Sequence, residues 1–211
     1  SKLKDTYYIK EKKYVDNLGL ENTTIKTNSK GFIETDENYR INENTFAIGD
    51  CTGKSMLRHG ASFEAREVFK QIIYNTSNTL SQEYMPYGIY LGSSEIGGCG
   101  KTSQQLNKEG IKFKTYSKKF EDTVYGKAKG LKGIVLIHYH PQSLEIFGAH
   151  TFGPDGVNLN QIIVPYIERH QTLYDLADTI SPHPSLAEGL FTIGVREIVY
   201  DSIKKTFKNK K

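Results

Sequence analysis

The fold is decided by residues 133–151, which read GIVLIHYHPQSLEIFGAHT. Two runs rich in apolar, β-branched and aromatic residues, 133–139 and 144–151, flank the turn-forming segment Pro141-Gln142-Ser143. Runs of this composition on either side of a short turn predict a β-hairpin. The sequence therefore places an antiparallel sheet in the second half of the chain.

The elements around this hairpin predict an α+β unit. Before it we expect strands at 87–91 and 112–116, a glycine-rich turn at 97–100, and a short helix at 102–109 that ends at Gly110. After it, apolar residues at helical spacing predict helices at 157–169, 172–177 and 185–199. Because the strands come first and the helices follow, we expect the helices to pack on one face of an antiparallel sheet.

The first part of the chain has a different organisation. Strands are expected at 5–9, 31–36 and 45–50, and apolar residues from Ala61 to Tyr74 recur at helical spacing. Residues 75–83 are polar and have no period, which is typical of a domain boundary. The predicted domains are therefore 1–80 and 84–211.

Composition excludes several classes of protein. The chain has 211 residues, 37% hydrophobic content and 24 aromatic residues, which argues against wholesale disorder. No apolar run approaches the roughly 18 to 20 residues that cross a bilayer, so no membrane association is expected and a cytoplasmic location is the default. The net charge of +4 arises partly from the lysines after residue 203. No second basic cluster with interleaved aromatics supports a nucleic-acid-binding role for that tail. We therefore expect no nucleic-acid partner.

A Gly-Asp pair ends the predicted strand 45–50. Gly49 would let the backbone approach a ligand closely, and the Asp50 carboxylate could accept a hydrogen bond from a sugar-like hydroxyl. The helix just downstream could present free backbone amides. From spacing alone, the alternative of an ordinary turn is favoured.

The segment His183-Pro184-Ser185-Leu186-Ala187-Glu188 could carry acid–base chemistry. The carboxylate of Glu188 could fold back to one imidazole nitrogen of His183 while the other nitrogen faces outward, with Pro184 in the first helical turn. The alternative, favoured by spacing alone, is that Ser181 or His183 caps the helix and Glu188 is a solvated acid in its first turn.

Cysteine and histidine positions give little support for other chemistry. Cys51 and Cys99 lie 48 residues apart and form no CxxC, CxxxxC or zinc pattern. The predicted hairpin could gather His138, His140 and His150, but no acidic or cysteine ligand is placed with them. No metal site is predicted.

Several ordered motifs resemble the pyridine nucleotide-disulfide oxidoreductases, most closely the dihydrolipoamide dehydrogenases. Residues 17–21, 31–33, 47–50 and 56–59 are similar to the late FAD-binding segment of that family. Five later motifs resemble the family's dimerisation domain. They are Ser94-Glu95-Ile96, Gly100-Lys101-Thr102, Phe147-Gly148-Ala149-His150, residues 175–180, and His183-Pro184 with Glu188.

This resemblance implies the C-terminal part of an FAD-binding α/β domain, followed by an α+β dimerisation domain. FAD would be bound by Gly49, Asp50, Met56, Leu57, Arg58, His59 and Ala61. His183 would be the acid/base for a small dithiol substrate such as dihydrolipoamide, free or on a lipoyl domain, and Glu188 would orient it. Electrons would pass through FAD to NAD. The histidine would act in trans across a homodimer.

The chain departs from the family pattern in two missing motifs and at two residues near His183. It holds neither a Gly-x-Gly-x-x-Gly dinucleotide loop nor a CxxxxC redox motif, which the family carries upstream of the resembled region. Ser181 stands where a first histidine is usual, and Ser185 stands where threonine is usual. The alternatives are therefore a glutathione, mercuric or CoA-disulfide reductase of the same family, or a dimerisation module without a catalytic role.

Overall fold

The computed structural model describes residues 15–76 and 84–193, together with Val195 and Val199. The chain divides into two compact units, Ser1–Gln82 and Glu83–Lys211. The predicted strand 5–9 and the lysine-rich tail lie outside the described residues.

Unit 1 is a small hairpin followed by a long helix. Strands β1 (Arg40–Asn42) and β2 (Thr45–Phe46) pair antiparallel, a 3-10 turn follows at Gly49–Thr52, and helix α1 spans Arg58–Tyr74. The inner face of α1 is partly polar, since Glu64 and Gln71 are buried. Gln71 donates to the carbonyl oxygen of Asn38 at 3.2 Å. The buried side chain of Gln71 therefore attaches the segment around Asn38 to α1.

Unit 2 contains a five-stranded antiparallel sheet. Its strands are β3 (Tyr87–Leu91), β4 (Ser94–Gly100), β5 (Lys114–Lys119), β6 (Ile134–Tyr139) and β7 (Ile146–Gly153). They are ordered β3-β4-β7-β6-β5. The predicted hairpin is present, with Ile137 opposite Ala149 in the β6–β7 register. This arrangement confirms the α+β fold class.

Helices α4 (Gly156–Gln161) and α5 (Val164–Glu168) pack against strands β4 and β7. The other helices of unit 2 are α2 (Ser103–Lys108), α3 (Val124–Lys129), α6 (Leu173–Ala177) and α7 (residues 188–193). Alternate residues of the strands, among them Cys99, Ile137 and Ala149, join Ile163 and Leu176 in one buried cluster. Because side chains alternate across a strand, this face forms the core.

Several local predictions were wrong. Residues 31–36 form only an isolated bridge, between Thr27 and Ile33, and the strand predicted at 45–50 ends at Phe46. The helix predicted at 157–169 is two helices, because Pro165 lies in the first turn of α5 and starts a new helix. Helix α3 was not predicted.

The glycine-rich segment 97–100 lies in strand β4 and is not a turn. A Cβ on Gly98 would lie 2.3 Å from the Tyr87 ring, and one on Gly97 would lie 2.6 Å from the Thr151 hydroxyl. Glycine is needed here because side chains of the neighbouring strands occupy the space that a Cβ would take. Cys99 is fully buried in the core, where burial raises the pKa of its thiol to about 12.

Several of the apolar residues that recur at helical spacing in α1 are exposed. Phe69, Ile72 and Ile73 are 57%, 61% and 56% exposed. The inner positions are taken by Glu64, Glu67 and Gln71 together with Gly60 and Val68. Glu64 and Gln71 satisfy backbone groups of Gly49 and Asn38, which accounts for polar side chains on this inner face.

Burial of His138 predicts a pH-dependent stability. Burial, and secondarily the neighbouring His150, lowers the pKa of His138 from 6.5 to about 4. Below the ordinary histidine pKa the unfolded chain binds a proton that the folded chain does not. The free energy of unfolding should therefore fall as the pH drops from about 6.5 towards 4.

Urea unfolding followed by tyrosine fluorescence at about pH 7 and about pH 5 measures this dependence. The His138→Gln variant should show a weaker decline, since His150 alone retains a pKa lowered by burial. Equal free energies of unfolding at the two pH values would contradict the assignment.

Candidate active site

His183 and Glu188 form a hydrogen-bonded pair in unit 2. Nδ1 of His183 lies 2.8 Å from Oε1 of Glu188, and the two side chains are 64% and 24% exposed. The carboxylate thus reaches back five residues to the imidazole. No described residue is hydrogen-bonded to Nε2 of His183, so this nitrogen is open to a ligand.

Ser185 anchors the same carboxylate through a capping box. Its backbone N–H donates to Oε2 of Glu188 at 3.1 Å, and its hydroxyl accepts the Glu188 backbone N–H at 3.2 Å. A serine at the N-cap with a glutamate three residues later is the sequence signature of this motif. Each oxygen of Glu188 therefore has its own partner, the imidazole for one and the helix start for the other.

This geometry combines the two interpretations of the segment and corrects both in detail. Ser185, not Ser181 or His183, makes the capping hydrogen bonds ahead of α7. Pro184 precedes Ser185 and does not lie in the first turn of α7, which begins at residue 188. Glu188 is both the acid of the first turn and the partner of His183.

Electrostatics define the protonation of the pair. The hydrogen bond from His183, and secondarily that from the Ser185 backbone, lowers the pKa of the Glu188 carboxyl. An ionised carboxylate only accepts hydrogen bonds, so Nδ1 of a neutral His183 carries the proton. The lone pair of Nε2 is then available to take a proton from a ligand.

Unit 1 places two of the predicted FAD residues against each other. Gly49 has φ +74°, and a Cβ built on it would lie 3.3 Å from the Cβ of Ala61 in α1. The Gly49 N–H donates to Oε2 of Glu64 at 2.5 Å. The loop therefore approaches α1 closely and is held by a buried carboxylate.

The other predicted FAD residues surround the start of α1. Asp50 is exposed in the 3-10 turn, Met56 and Leu57 are half-buried, and Arg58 and His59 are exposed in the first helical turn. The N-cap residue, Leu57, supplies no side-chain cap, and that turn holds no acidic residue. A helix start of this kind favours negative charge.

These groups fit part of an FAD site. The Ser55 hydroxyl is buried and has no hydrogen-bond partner among the described residues, which suits it to a polar ligand. Asp50 offers an acceptor to a ribityl hydroxyl, and the start of α1 offers donors to an anionic group. FAD carries both kinds of group.

Sequence reasoning missed three residues of these clusters. Ser55 carries no pattern of its own. The role of Ser185 could have been found, because Ser185 and Glu188 have capping-box spacing. The role of Glu64 had only a weak signal in the sequence, which is a carboxylate among the apolar residues that recur at helical spacing in α1.

The histidines of the sheet do not form a metal site. The rings of His138 and His150 lie 5.3 Å apart, whereas His140 faces Phe147 and accepts backbone N–H groups of its turn. Within residues 15–76 and 84–193, no group of three or more His, Cys, Asp or Glu side chains could hold a metal ion. Nor does any helix in this part of the chain have the length and apolarity to span a membrane.

Comparison with known proteins identifies the dimerisation domain. Residues 85–192 match the family model "Pyridine nucleotide-disulphide oxidoreductase, dimerisation domain". A soluble pyridine nucleotide transhydrogenase from Pseudomonas putida (strain GB-1) is 32% identical over 197 residues, which are 91% of this chain and 41% of that protein. One from Pseudomonas fluorescens (strain Pf0-1) is 31% identical with the same coverage.

Solved structures have the same fold. LpdA from Mycobacterium tuberculosis superimposes with a TM-score of 0.80 at 19% identity, over 87% of this chain and 40% of LpdA. The HOCl-induced flavoprotein disulfide reductase RclA from Escherichia coli gives a TM-score of 0.73 at 19% identity, over 82% of this chain and 40% of RclA.

The chain thus spans about two fifths of the length of the curated relatives it matches. The family model covers more than half of the chain and includes both His183 and Glu188. The resemblance seen in the sequence motifs is therefore confirmed, and the chain belongs to the pyridine nucleotide-disulphide oxidoreductases.

Proposed function

We propose that this chain supplies the acid–base pair of an FAD-dependent oxidoreductase that oxidises a small dithiol, as dihydrolipoamide dehydrogenases do. The observation that carries the proposal is the 2.8 Å hydrogen bond between His183 and Glu188, with Nε2 of the histidine open. The substrate would be dihydrolipoamide, free or attached to a lipoyl domain. NAD would be the final acceptor.

The chemistry of dithiol oxidation suits this pair. A thiol must lose its proton before its sulfur can attack a disulfide, and an imidazole titrates in the range where this transfer is reversible. Nε2 of His183 would take the proton, and Glu188 would stabilise the resulting imidazolium through Nδ1. FAD, when bound, supplies a two-electron acceptor between the dithiol and NAD.

The groups around Gly49 would hold FAD. Asp50 would accept from a hydroxyl of the cofactor, and the first turn of α1, from Arg58 to Ala61, would face its anionic or polar groups. Met56 and Leu57 would provide apolar contact. The remainder of the cofactor site would come from the part of the protein that the relatives have in addition to the matched region.

A second copy of the chain would complete the site. The matched domain is the family's dimerisation domain, and the 64% exposure of the His183 side chain leaves it accessible to another subunit. We propose a homodimer in which His183 serves the flavin site of its partner. Both cysteines are free, as expected of a cytoplasmic protein, which is where we place the enzyme.

Transhydrogenation is a second candidate, supported by the names of the relatives that are 31% and 32% identical. Hydride exchange between two nicotinamides involves no thiol, so it does not need a base at His183. Dithiol oxidation does need one. The two candidates therefore predict opposite sensitivities to His183→Gln.

The proposal is tested by joining this chain to the FAD- and nicotinamide-binding part of a relative and measuring three reactions. These are NAD reduction by dihydrolipoamide, NADPH oxidation by glutathione disulfide, and hydride transfer from NADPH to NAD. Dominance of the first supports the proposal. Preference for the second identifies another disulfide reductase, and preference for the third identifies a transhydrogenase.

Binding of FAD is measured in the same preparation. If the joined protein binds FAD and catalyses none of these reactions, the catalytic proposal fails. If it neither binds FAD nor turns over, the chain is a dimerisation module.

Glu188→Gln should have a milder effect than loss of the histidine. The amide can still accept from Nδ1, but it no longer stabilises an imidazolium by its charge. We expect turnover to fall by about tenfold, equivalent to roughly 1.4 kcal/mol. Steady-state dithiol oxidation checks this prediction, and a loss as large as that of His183→Gln would contradict an orienting role.

A further inference from the structure

Two serines extend the hydrogen-bond network behind His183. The hydroxyl of Ser181 lies 3.3 Å from that of Ser185, and Ser185 in turn contacts Glu188 through both its backbone N–H and its hydroxyl. Ser181 and Ser185 are the two positions at which this segment departs from the family pattern. The two serines that depart from the family pattern therefore contact each other.

We infer that Ser185, steadied by Ser181, is a positioning residue that holds Glu188 in the orientation that keeps the proton of neutral His183 on Nδ1. The effect of this positioning on turnover rests on the proposed acid–base role of His183. The tautomer itself is a property of this chain and needs no substrate to be measured.

The exposure of the pair explains why such positioning is needed. The His183 side chain is 64% exposed, so packing does little to fix it, and its orientation depends on Glu188, which is 24% exposed. A carboxylate at a helix start is free to rotate unless both of its oxygens are engaged. Ser185 engages Oε2, and this directs Oε1 towards Nδ1.

The hydroxyl of Ser185 adds a second constraint. By accepting the Glu188 N–H it fixes the first turn of α7, from which the carboxylate projects. The Ser181 hydroxyl restricts the rotamer of Ser185. Loss of the Ser185 hydroxyl leaves the Ser185 backbone N–H on Oε2, but it should loosen the first turn of α7 and so weaken the positioning of Glu188 without removing any group that touches the imidazole.

The experiment is ¹⁵N NMR of the full chain labelled at histidine, because imidazole nitrogen shifts distinguish the two neutral tautomers. In the native chain we expect the Nδ1–H form of His183 to dominate. Ser185→Ala should lower the ratio of the Nδ1–H to the Nε2–H form by about fivefold, in the range of one net hydrogen bond. Ser181→Ala should lower it by about twofold, and Ser185→Thr, which retains the hydroxyl, should restore it.

Thr172→Ala is the matched control. Thr172 forms a capping box with Asp175 at the start of α6, with the same pattern of bonds as Ser185 and Glu188. Its loss should destabilise the unit by a similar amount and leave the tautomer of His183 unchanged. If Ser185→Ala does not fold, Ser185→Gly removes the hydroxyl with a smaller loss of capping and gives the same test.

An unchanged tautomer ratio in folded Ser185→Ala or Ser185→Gly would overturn the inference, as would a native His183 that is mainly Nε2–H. A changed ratio together with dithiol turnover that is insensitive to His183→Gln would leave the inference intact and reject the proposed function. The two failures are thus distinguishable.

Discussion

His183→Gln should lower dithiol oxidation by about 10² to 10⁴, the range for loss of a general acid or base, in an enzyme that contains this chain. Glutamine preserves much of the volume and can still bond to Glu188, but it cannot take up a proton. FAD binding should be unaffected, because the predicted FAD residues lie at Gly49–Asp50 and Met56–Ala61. Stopped-flow measurement of flavin reduction by the dithiol isolates the affected step.

His170→Gln is the control for this variant. Nδ1 of His170 lies 2.9 Å from Oε1 of Glu145, so it is a second exposed histidine–glutamate pair in the same unit. It has no place in the proposed chemistry, and its variant should retain native turnover. Near-native dithiol oxidation by His183→Gln would contradict the role assigned to His183.

Gly148→Ala should destabilise unit 2 by about 3 kcal/mol or more, at the upper end of the usual cost of overpacking. A Cβ at this position would lie 2.2 Å from the carbonyl oxygen and 2.8 Å from the nitrogen of Lys101. Both are backbone atoms of the segment that leaves β4 for α2, so no side chain can move aside. Since a domain is stable by only about 5 to 15 kcal/mol, this is a large fraction of the total.

Urea unfolding monitored by circular dichroism measures the loss. Gly189→Ala is the comparison, because the nearest atoms to a Cβ there are the side chains of Thr123 at 3.1 Å and Lys118 at 3.7 Å. It lies in α7, where alanine favours the helix by up to about 1 kcal/mol over glycine. A Gly148→Ala variant as stable as Gly189→Ala would show that the close crossing at Lys101 is misassigned.

The sequence predicted the elements whose signals are local and strong. The hairpin around Pro141 carries both a turn signal and two runs of strand-forming residues, and the structure pairs the two strands antiparallel as expected. Long-range packing was harder to predict. The glycines of β4 resemble a turn in sequence, yet Gly97 and Gly98 are required by a side chain of β7 and by one of β3.

The same distinction holds for the functional clusters. The approach of Glu188 to His183 follows from a spacing of five residues and was predicted as one of two alternatives. The hydrogen bond from Gly49 to Glu64 joins residues 15 positions apart, and no short motif signals it. Ser55 is a candidate ligand-binding residue because its hydroxyl is buried without a partner among the described residues, and no sequence pattern signals this.

The most direct test of the account is the coding sequence immediately ahead of Ser1. Dithiol oxidation requires a redox disulfide, and the two cysteines of this chain, Cys51 and Cys99, are both free. We predict an in-frame region that encodes a Gly-x-Gly-x-x-Gly loop followed by a CxxxxC motif. A dinucleotide loop without the cysteine pair would contradict the dithiol chemistry assigned to His183 and favour transhydrogenation, and a region with neither motif would contradict the account as a whole.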